Sequence, residues 1–241
     1  MYYALTFDRV LSSSVPLGPK NTWSDWYLVP SSRPSVAPPS VKKTVIEIPG
    51  SNGIIDLTES LTGDVTYGQR TGSWEFIVMN EKPILWSELY SDILDYLHGQ
   101  RVRVYLEDTL KSESDTSYPD YYYEGRIDVE AWDTQDNYSV ISMNYNLDPF
   151  KYDRVAVSDR ITVNSTSSWT TKTYTTKRMP VIPKFIVDTG GQNMKVRFKG
   201  ISYDLSVGEQ AVANIVFTEG SNQIQLQGNG TVTVSFRGGR L

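Results

Sequence analysis

The chain has no cysteine and only one histidine, His98. Without cysteine there is no disulfide framework, no thiol nucleophile and no thiolate ligand. With one histidine, metal sites built from His/Cys clusters are excluded, which leaves only a carboxylate cage for a hard cation. An excess of positive charge is lacking too. Lys and Arg number 23 against 28 Asp and Glu, giving a net charge of −5 and a pI near 5.0. Tight binding to nucleic acid needs a basic face that displaces counterions, so none is expected. No apolar stretch approaches the roughly 20 residues that span a bilayer, so no membrane insertion is expected. Met1–Arg9 lacks the basic start and apolar run of a secretory signal, and synthesis in a cytoplasm follows as the expectation.

What is present is a folding composition. Of 241 residues, 39% are hydrophobic and 21% charged, as in globular domains. That length holds one large β domain or two smaller ones. Five of the six tryptophans and fourteen of the sixteen tyrosines precede residue 153, after which Thr, Ser, Val, Gly and Asn dominate. The shift after Leu147–Tyr152 predicts two domains, 1–152 and 153–241. No internal repeat is present.

The first part reads mainly as antiparallel strands in a meander. Tyr3, Leu5 and Phe7 alternate with Tyr2, Ala4 and Thr6, the two-residue period of a strand with one buried face. Trp74, Phe76 and Val78 share a side, as do Val102, Val104 and Leu106. The runs 125–132 and 138–146 flank a predicted Asp133–Asn137 turn. Trp86, Leu89, Tyr90, Ile93, Leu94 and Leu97 recur at helical spacing and predict one helix over about 86–98. Ser87 is the expected amino-terminal cap and Gly99 the left-handed stop.

Half of the twelve prolines fall between Val10 and Ser40. Proline removes a ladder donor, so this segment is no interior strand. It reads as an extended arm over about 10–42. Twenty such residues reach about 65 Å at roughly 3.3 Å each, more than crossing a small domain needs. The whole stretch from Trp23 to Glu59, with Trp23-Ser24-Asp25-Trp26 and the run Val45-Ile46-Glu47-Ile48, points toward assembly before chemistry. After Tyr152, strands are expected at 194–198, 201–205, 223–227 and 231–236. Glycine-bearing turns are expected at 189–193, 219–222 and 228–230. A small β-sandwich is the reading.

Catalytic chemistry finds no foothold. His98 has no nucleophile and no orienting acid placed by a motif, so a capping or interface role is expected. No pair among the acids stands out as a glycosidase dyad. Asp133–Asn137 lacks the glycine and distal glutamate of a calcium loop, and Glu107–Asp120 reads as a solvated loop. No enzyme activity, cofactor or metal is expected. Three consecutive tyrosines, Tyr121–Tyr123, must face both sides of a strand and need cover.

Taken in order, several motifs resemble the distal tail protein (Dit) family of long-tailed, non-contractile bacteriophages. They are Trp23–Pro30, Arg33-Pro34, Ile48-Pro49-Gly50 with Asn52-Gly53, Asp56–Glu59, and Leu61-Thr62-Gly63 followed by Tyr67 and Arg70. Further on come Leu97-His98-Gly99, Tyr123 with Gly125-Arg126, Pro149 with Lys151-Tyr152, and the terminal Phe236–Leu241. The resemblance implies a mainly β protein: an N-terminal tail-tube-like β-sandwich or barrel with one α-helix and an extended arm, plus a C-terminal galectin-like β-sandwich. It implies a virion component at the tail tip, made in the host bacterial cytoplasm. There a homohexamer would join the tail tube protein to the tail-tip hub or tail-associated protein, near the tape measure protein. DNA would pass through the ring without specific binding.

On that reading Trp23 and Trp26 are the expected arm anchors, each able to remove about 150–250 Å² of surface from water. Tyr27 stands beside them. Arg33, Arg70 and Arg126 are expected interface or lumen charges, and Tyr121 and Tyr123 are expected under a ring neighbour. The alternative is a cell-wall saccharide adhesin working through the C-terminal domain, with Trp169 as its sugar contact.

Overall fold

A computed structural model describes residues 3–10, 18–50, 52–60, 62–79, 86–106, 121–134 and 138–241. The front of the expected arm (11–17), the acidic stretch Glu107–Asp120 and positions 135–137 of the expected turn lie outside them. The chain divides into two compact units, Met1–Lys151 and Tyr152–Leu241.

In chain order the first unit contains β1 (Leu5–Arg9), β2 (Lys20–Asn21), β3 (Leu28–Pro30), β4 (Val45–Glu47), β5 (Ile54–Asp56), β6 (Arg70–Val78) and α1 (Trp86–Leu97). These are followed by β7 (Gln100–Leu106), β8 (Tyr121–Val129), β9 (Asp133–Thr134) and β10 (Ser139–Leu147). One antiparallel sheet runs β2-β1-β7-β8-β10-β6-β3, and β4 and β5 form a separate ribbon. Only β7, β8 and β10 follow one another as a meander. β6 closes on the far side of β10, and β1 on the far side of β7. The expected simple meander is thus corrected by long-range pairings, which local alternation cannot specify.

The predicted faces of β6 and β7 carry the burial, but the stretch Tyr3–Phe7, expected to bury one face, buries Ala4 and Thr6 as well as Leu5 and Phe7. Trp74, Phe76 and Val78 join Leu5, Phe7, Val102, Val104 and Ile127 in one core cluster. Helix α1 seals it with Ile93 and Leu97, both fully buried, while Tyr96 reaches across to donate to the Phe7 and Gly18 carbonyls. Ser87 lies inside the helix, not at its cap, since α1 already begins at Trp86. Gly99 does end it, at φ 68°, a conformation that costs a side-chain-bearing residue more.

The second unit begins in β11 (Lys151–Asp153). It continues with β12 (Val157–Thr176), β13 (Lys184–Val187), β14 (Gln192–Phe198), β15 (Ile201–Asp204), β16 (Gly208–Ala211), β17 (Gly220–Phe236) and β18 (Gly239–Arg240). Its main sheet has the order β15-β14-β17-β13-β16, with β12 paired along β17. The expected turn at Gly228–Gly230 is instead a bend inside one strand. Gly228 and Gly230 sit at φ 136° and 147°. A Cβ on Gly228 would come within 2.6 Å of the Met194 sulfur. There β17 passes from pairing with β14 to pairing with β13. Phe185, Val196, Phe217, Ile224, Leu226, Val232 and Val234 fill the core that this curled sheet wraps.

Tyr174 gives this unit an alkaline limit. It is buried, and its hydroxyl donates to Asp159 Oδ2 at 3.0 Å. Burial first, then that hydrogen bond and the carboxylate's charge, push its ionisation well above the ordinary tyrosine range. The unfolded chain ionises near pH 10 while the folded unit keeps its proton, so stability is full below about pH 10 and falls as pH rises past it. Urea unfolding of the second unit is expected to weaken between about pH 9.5 and 11, and less so in Tyr174→Phe.

Candidate assembly interface

The fold holds some of its side chains ready for another surface and encloses others. The Trp23–Pro30 segment departs first from expectation. Asn21 accepts from the Trp23 and Ser24 amides, and Tyr27 N–H bonds the Trp23 carbonyl, so the chain makes one tight helical turn. That turn ends at Tyr27, held at φ 55°. It drives Trp26 into the unit's own core, where it is fully buried against Phe7 and Tyr96. Its indole N–H donates to Asp92 at 2.8 Å. Trp26 is therefore a core residue and not an anchor for a neighbour. Trp23 and Tyr27 stay half-buried, packed edge to face at 6.3 Å.

The other described parts of the expected arm are stitched to the same unit. β2 pairs with β1 and β3 with β6, both at sheet edges where Pro30 costs no interior bond. Beyond them Trp74 donates to the Ser35 carbonyl, and the Tyr145 hydroxyl accepts from the Ala37 amide. Arg70 completes this clamp. Its guanidinium is buried, gives 2.8 Å bonds to the Ala37 and Pro149 carbonyls, and lies 5.5 Å over the Tyr123 ring. Burial lowers its pKa, with the Tyr123 and Tyr145 hydroxyls opposing. Expected at an interface, Arg70 proves to be an internal strut.

Tyr123 also belongs to the core, and Tyr121 packs edge to face on it beneath the Lys151 ammonium. Tyr122, on the other face, is covered by Tyr105 and the Arg103 guanidinium. The chain itself thus covers Tyr122 and Tyr123 and leaves Tyr121 half-buried. Arg126 is exposed and donates to the Gly99 carbonyl at 2.7 Å, favourable at the negative end of α1. Arg33 is exposed over the Tyr3 ring. His98 Nδ1 accepts from the Val129 amide, tying the helix end to β8.

The projecting element lies further along. At its root Gly68 N–H bonds the Ser40 carbonyl, Lys42 N–H bonds the Thr66 carbonyl, and Tyr67 packs on Phe150. Between them β4 and β5 pair as Val45↔Asp56, Ile46↔Ile55 and Glu47↔Ile54. Ile46 and Ile55 lie on one face, Val45 and Ile54 on the other. Val41, Val45, Ile46, Ile48, Ile54 and Ile55 are each 41–63% exposed. A two-stranded ribbon with aliphatic side chains on both faces has no core of its own and is marginal alone in water. The run Val45–Ile48 signalled this stretch, but nothing local said that the ribbon stands clear of the sheet. A smaller half-exposed group, Trp86 with Trp132 at 5.1 Å and Tyr90 beside it, was also missed.

In the second unit Trp169 sits where β12 shifts register between Ser165 and Thr170. The Arg197 guanidinium covers its ring at 4.0 Å. Among the described residues no group of three His, Cys, Asp or Glu could hold a metal ion.

Neither a protein-family model nor a curated protein sequence matches the chain. Among solved structures, the chain is similar to the Dit protein (gp 19.1) of SPP1. That protein is described as a paradigm of the hub adsorption apparatus in phages that infect Gram-positive bacteria. The match has a TM-score of 0.61 at 14% identity and covers 100% of both chains. The fold, mainly β with a single helix among the described residues, is therefore Dit-like.

Proposed function

We propose that this chain is a structural component of a phage tail: a distal-tail subunit that closes with copies of itself into a homohexameric adaptor ring at the tail tip. The ring joins the tail tube protein to the tip hub or tail-associated protein, with the tape measure protein nearby, and leaves a channel for DNA. It is an assembly protein, not an enzyme. Residues 153–241 form its outer, galectin-like domain.

One observation carries this reading beyond the shared fold. The β4–β5 ribbon exposes aliphatic side chains on both faces, which a solvated monomer gains nothing by displaying. Seated on an adjacent copy, each half-exposed Val or Ile would contribute about 1 kcal/mol, or on the order of 5 kcal/mol for the ribbon. The expected arm thus becomes the ribbon rooted at residues 40–68, in place of the segment 10–42. Charge is compatible with a conduit, because subunits of −5 each have little attraction for a phosphate backbone.

Native mass spectrometry of the purified protein, alone and within isolated tail tips, tests the reading. A sixfold species is expected in tips and at high protein concentration. A strictly monomeric chain inside intact tips would refute the ring.

A further inference from the structure

The outward face of the second unit's sheet carries a polar side-chain set. Register places Arg197, Gln225 and Thr171 in one row across β14, β17 and β12, with Gln223 and Thr173 in the next. Strands lie about 4.8 Å apart and alternate residues about 6.8 Å apart, so these groups tile a patch the size of one or two sugar rings. Opposite them the core residues Val196, Ile224 and Leu226 hold the backbone rigid.

A groove of about 320 Å³ opens along this face, lined in part by Arg197, Lys199, Thr218, Ser221, Gln223 and Gln225. Two cations line it and no carboxylate does. Lys199 and Gly200 form the tight turn between β14 and β15 with φ 49° and 84°, which fixes the lysine at the rim. The neighbouring Lys195 and Asp204 neutralise each other at 3.2 Å.

The polar groups are prepared for a ligand. Arg197 spends Nε on the Ser202 hydroxyl at 3.1 Å and stacks on Trp169, so its plane is set while other N–H groups remain to be offered. The Trp169 corner is itself stiffened: Ser165 Oγ accepts from the Ser167 and Ser168 amides, and Gln227 donates to the Thr166 carbonyl. Among the described residues, by contrast, the Gln223 and Gln225 amides bond to nothing else in the chain. A primary amide both donates and accepts, which suits vicinal hydroxyls, and a guanidinium suits a carboxylate or phosphate.

The geometry points to a binding site for an acidic saccharide, a hydroxyl-rich polymer bearing carboxylate or phosphate, on the Arg197–Gln225–Gln223 face. This goes beyond the ring and stands independently of it. Recognition is by amides to hydroxyls and by Arg197 and Lys199 to the anion, with Arg197 held in place against Trp169.

Isothermal titration of the full chain at low salt, with poly(glycerol phosphate), polygalacturonate and dextran as probes, tests it. Saturable binding to one or both acidic polymers, and not to neutral dextran, is expected, and the polymer that binds shows which acid is read. Arg197→Gln, and separately Gln223→Ala with Gln225→Ala, should each weaken binding about tenfold or more. Arg160→Gln removes one positive charge elsewhere on this unit and should change binding by less than about twofold at moderate salt. Unchanged melting temperatures of the glutamine variants verify that the fold is kept. Absence of binding to both acidic polymers, equal binding to dextran, or equal losses in Arg160→Gln and Arg197→Gln would overturn the proposal.

Discussion

Ile46→Asp combined with Ile55→Asp is expected to abolish the proposed ring while leaving a folded, soluble monomer. The two side chains face each other across the β4–β5 ribbon and are 49% and 45% exposed, so neither supports the core of its own unit. Two carboxylates there would have to be desolvated on seating against an apolar surface, at a cost of several kcal/mol each. Added to the lost aliphatic burial, this shifts a subunit association constant by at least about three orders of magnitude. Sedimentation should show a single slow species across the concentration range in which the parent protein assembles. Circular dichroism and the melting temperature should be nearly unchanged. If the double variant still forms rings, the ribbon is not the closing element.

Trp26→Ala is expected to do the reverse, damaging the subunit before any assembly. The indole fills the space between Phe7 and Tyr96, is fully buried, and bonds Asp92 on α1. Replacing such a side chain costs about 3–5 kcal/mol, a large share of the 5–15 kcal/mol that holds a typical domain folded. Guanidinium unfolding of the first unit should show its midpoint collapse. Trp23→Ala, at the half-buried end of the same turn, should cost about 1 kcal/mol or less. Equal stabilities of the two variants would contradict the packing described. The pair separates two tryptophans that look equivalent in the primary structure, because only one of them faces inward after the Asn21–Tyr27 turn.

That contrast shows where residue patterns stop being informative. Alternation exposed the strands, since the core takes every second side chain and Trp74, Phe76 and Val78 are all buried. Spacing of three and four exposed the helix, although Trp86 on the predicted stripe is exposed and Tyr96, off it, is buried with Ile93 and Leu97. Pattern could not foresee that Arg70, a charge, would be enclosed. Its burial depends on the Ala37 and Pro149 carbonyls, which arrive from chain segments 33 and 79 residues away. Nor could a glycine pair announce whether β17 turns back or bends. Gly228–Gly230 has the composition of a hairpin, and only the approach of Gly191 and Met194 makes it a kink.

By itself the primary structure determined the class of molecule: mainly β with a helix over about 86–98, free of thiol chemistry, and acidic. These properties follow from composition and local period, which depend on near neighbours alone. Tertiary structure decided which apolar groups remain outside. Trp26 is consumed by its own core, whereas Ile46, Ile54 and Ile55 are left in water because the ribbon leaves the sheet at Ser40 and returns at Gly68. Exposure is a property of everything that packs around a side chain, and long-range strand pairing, not the residue's own identity, settles it.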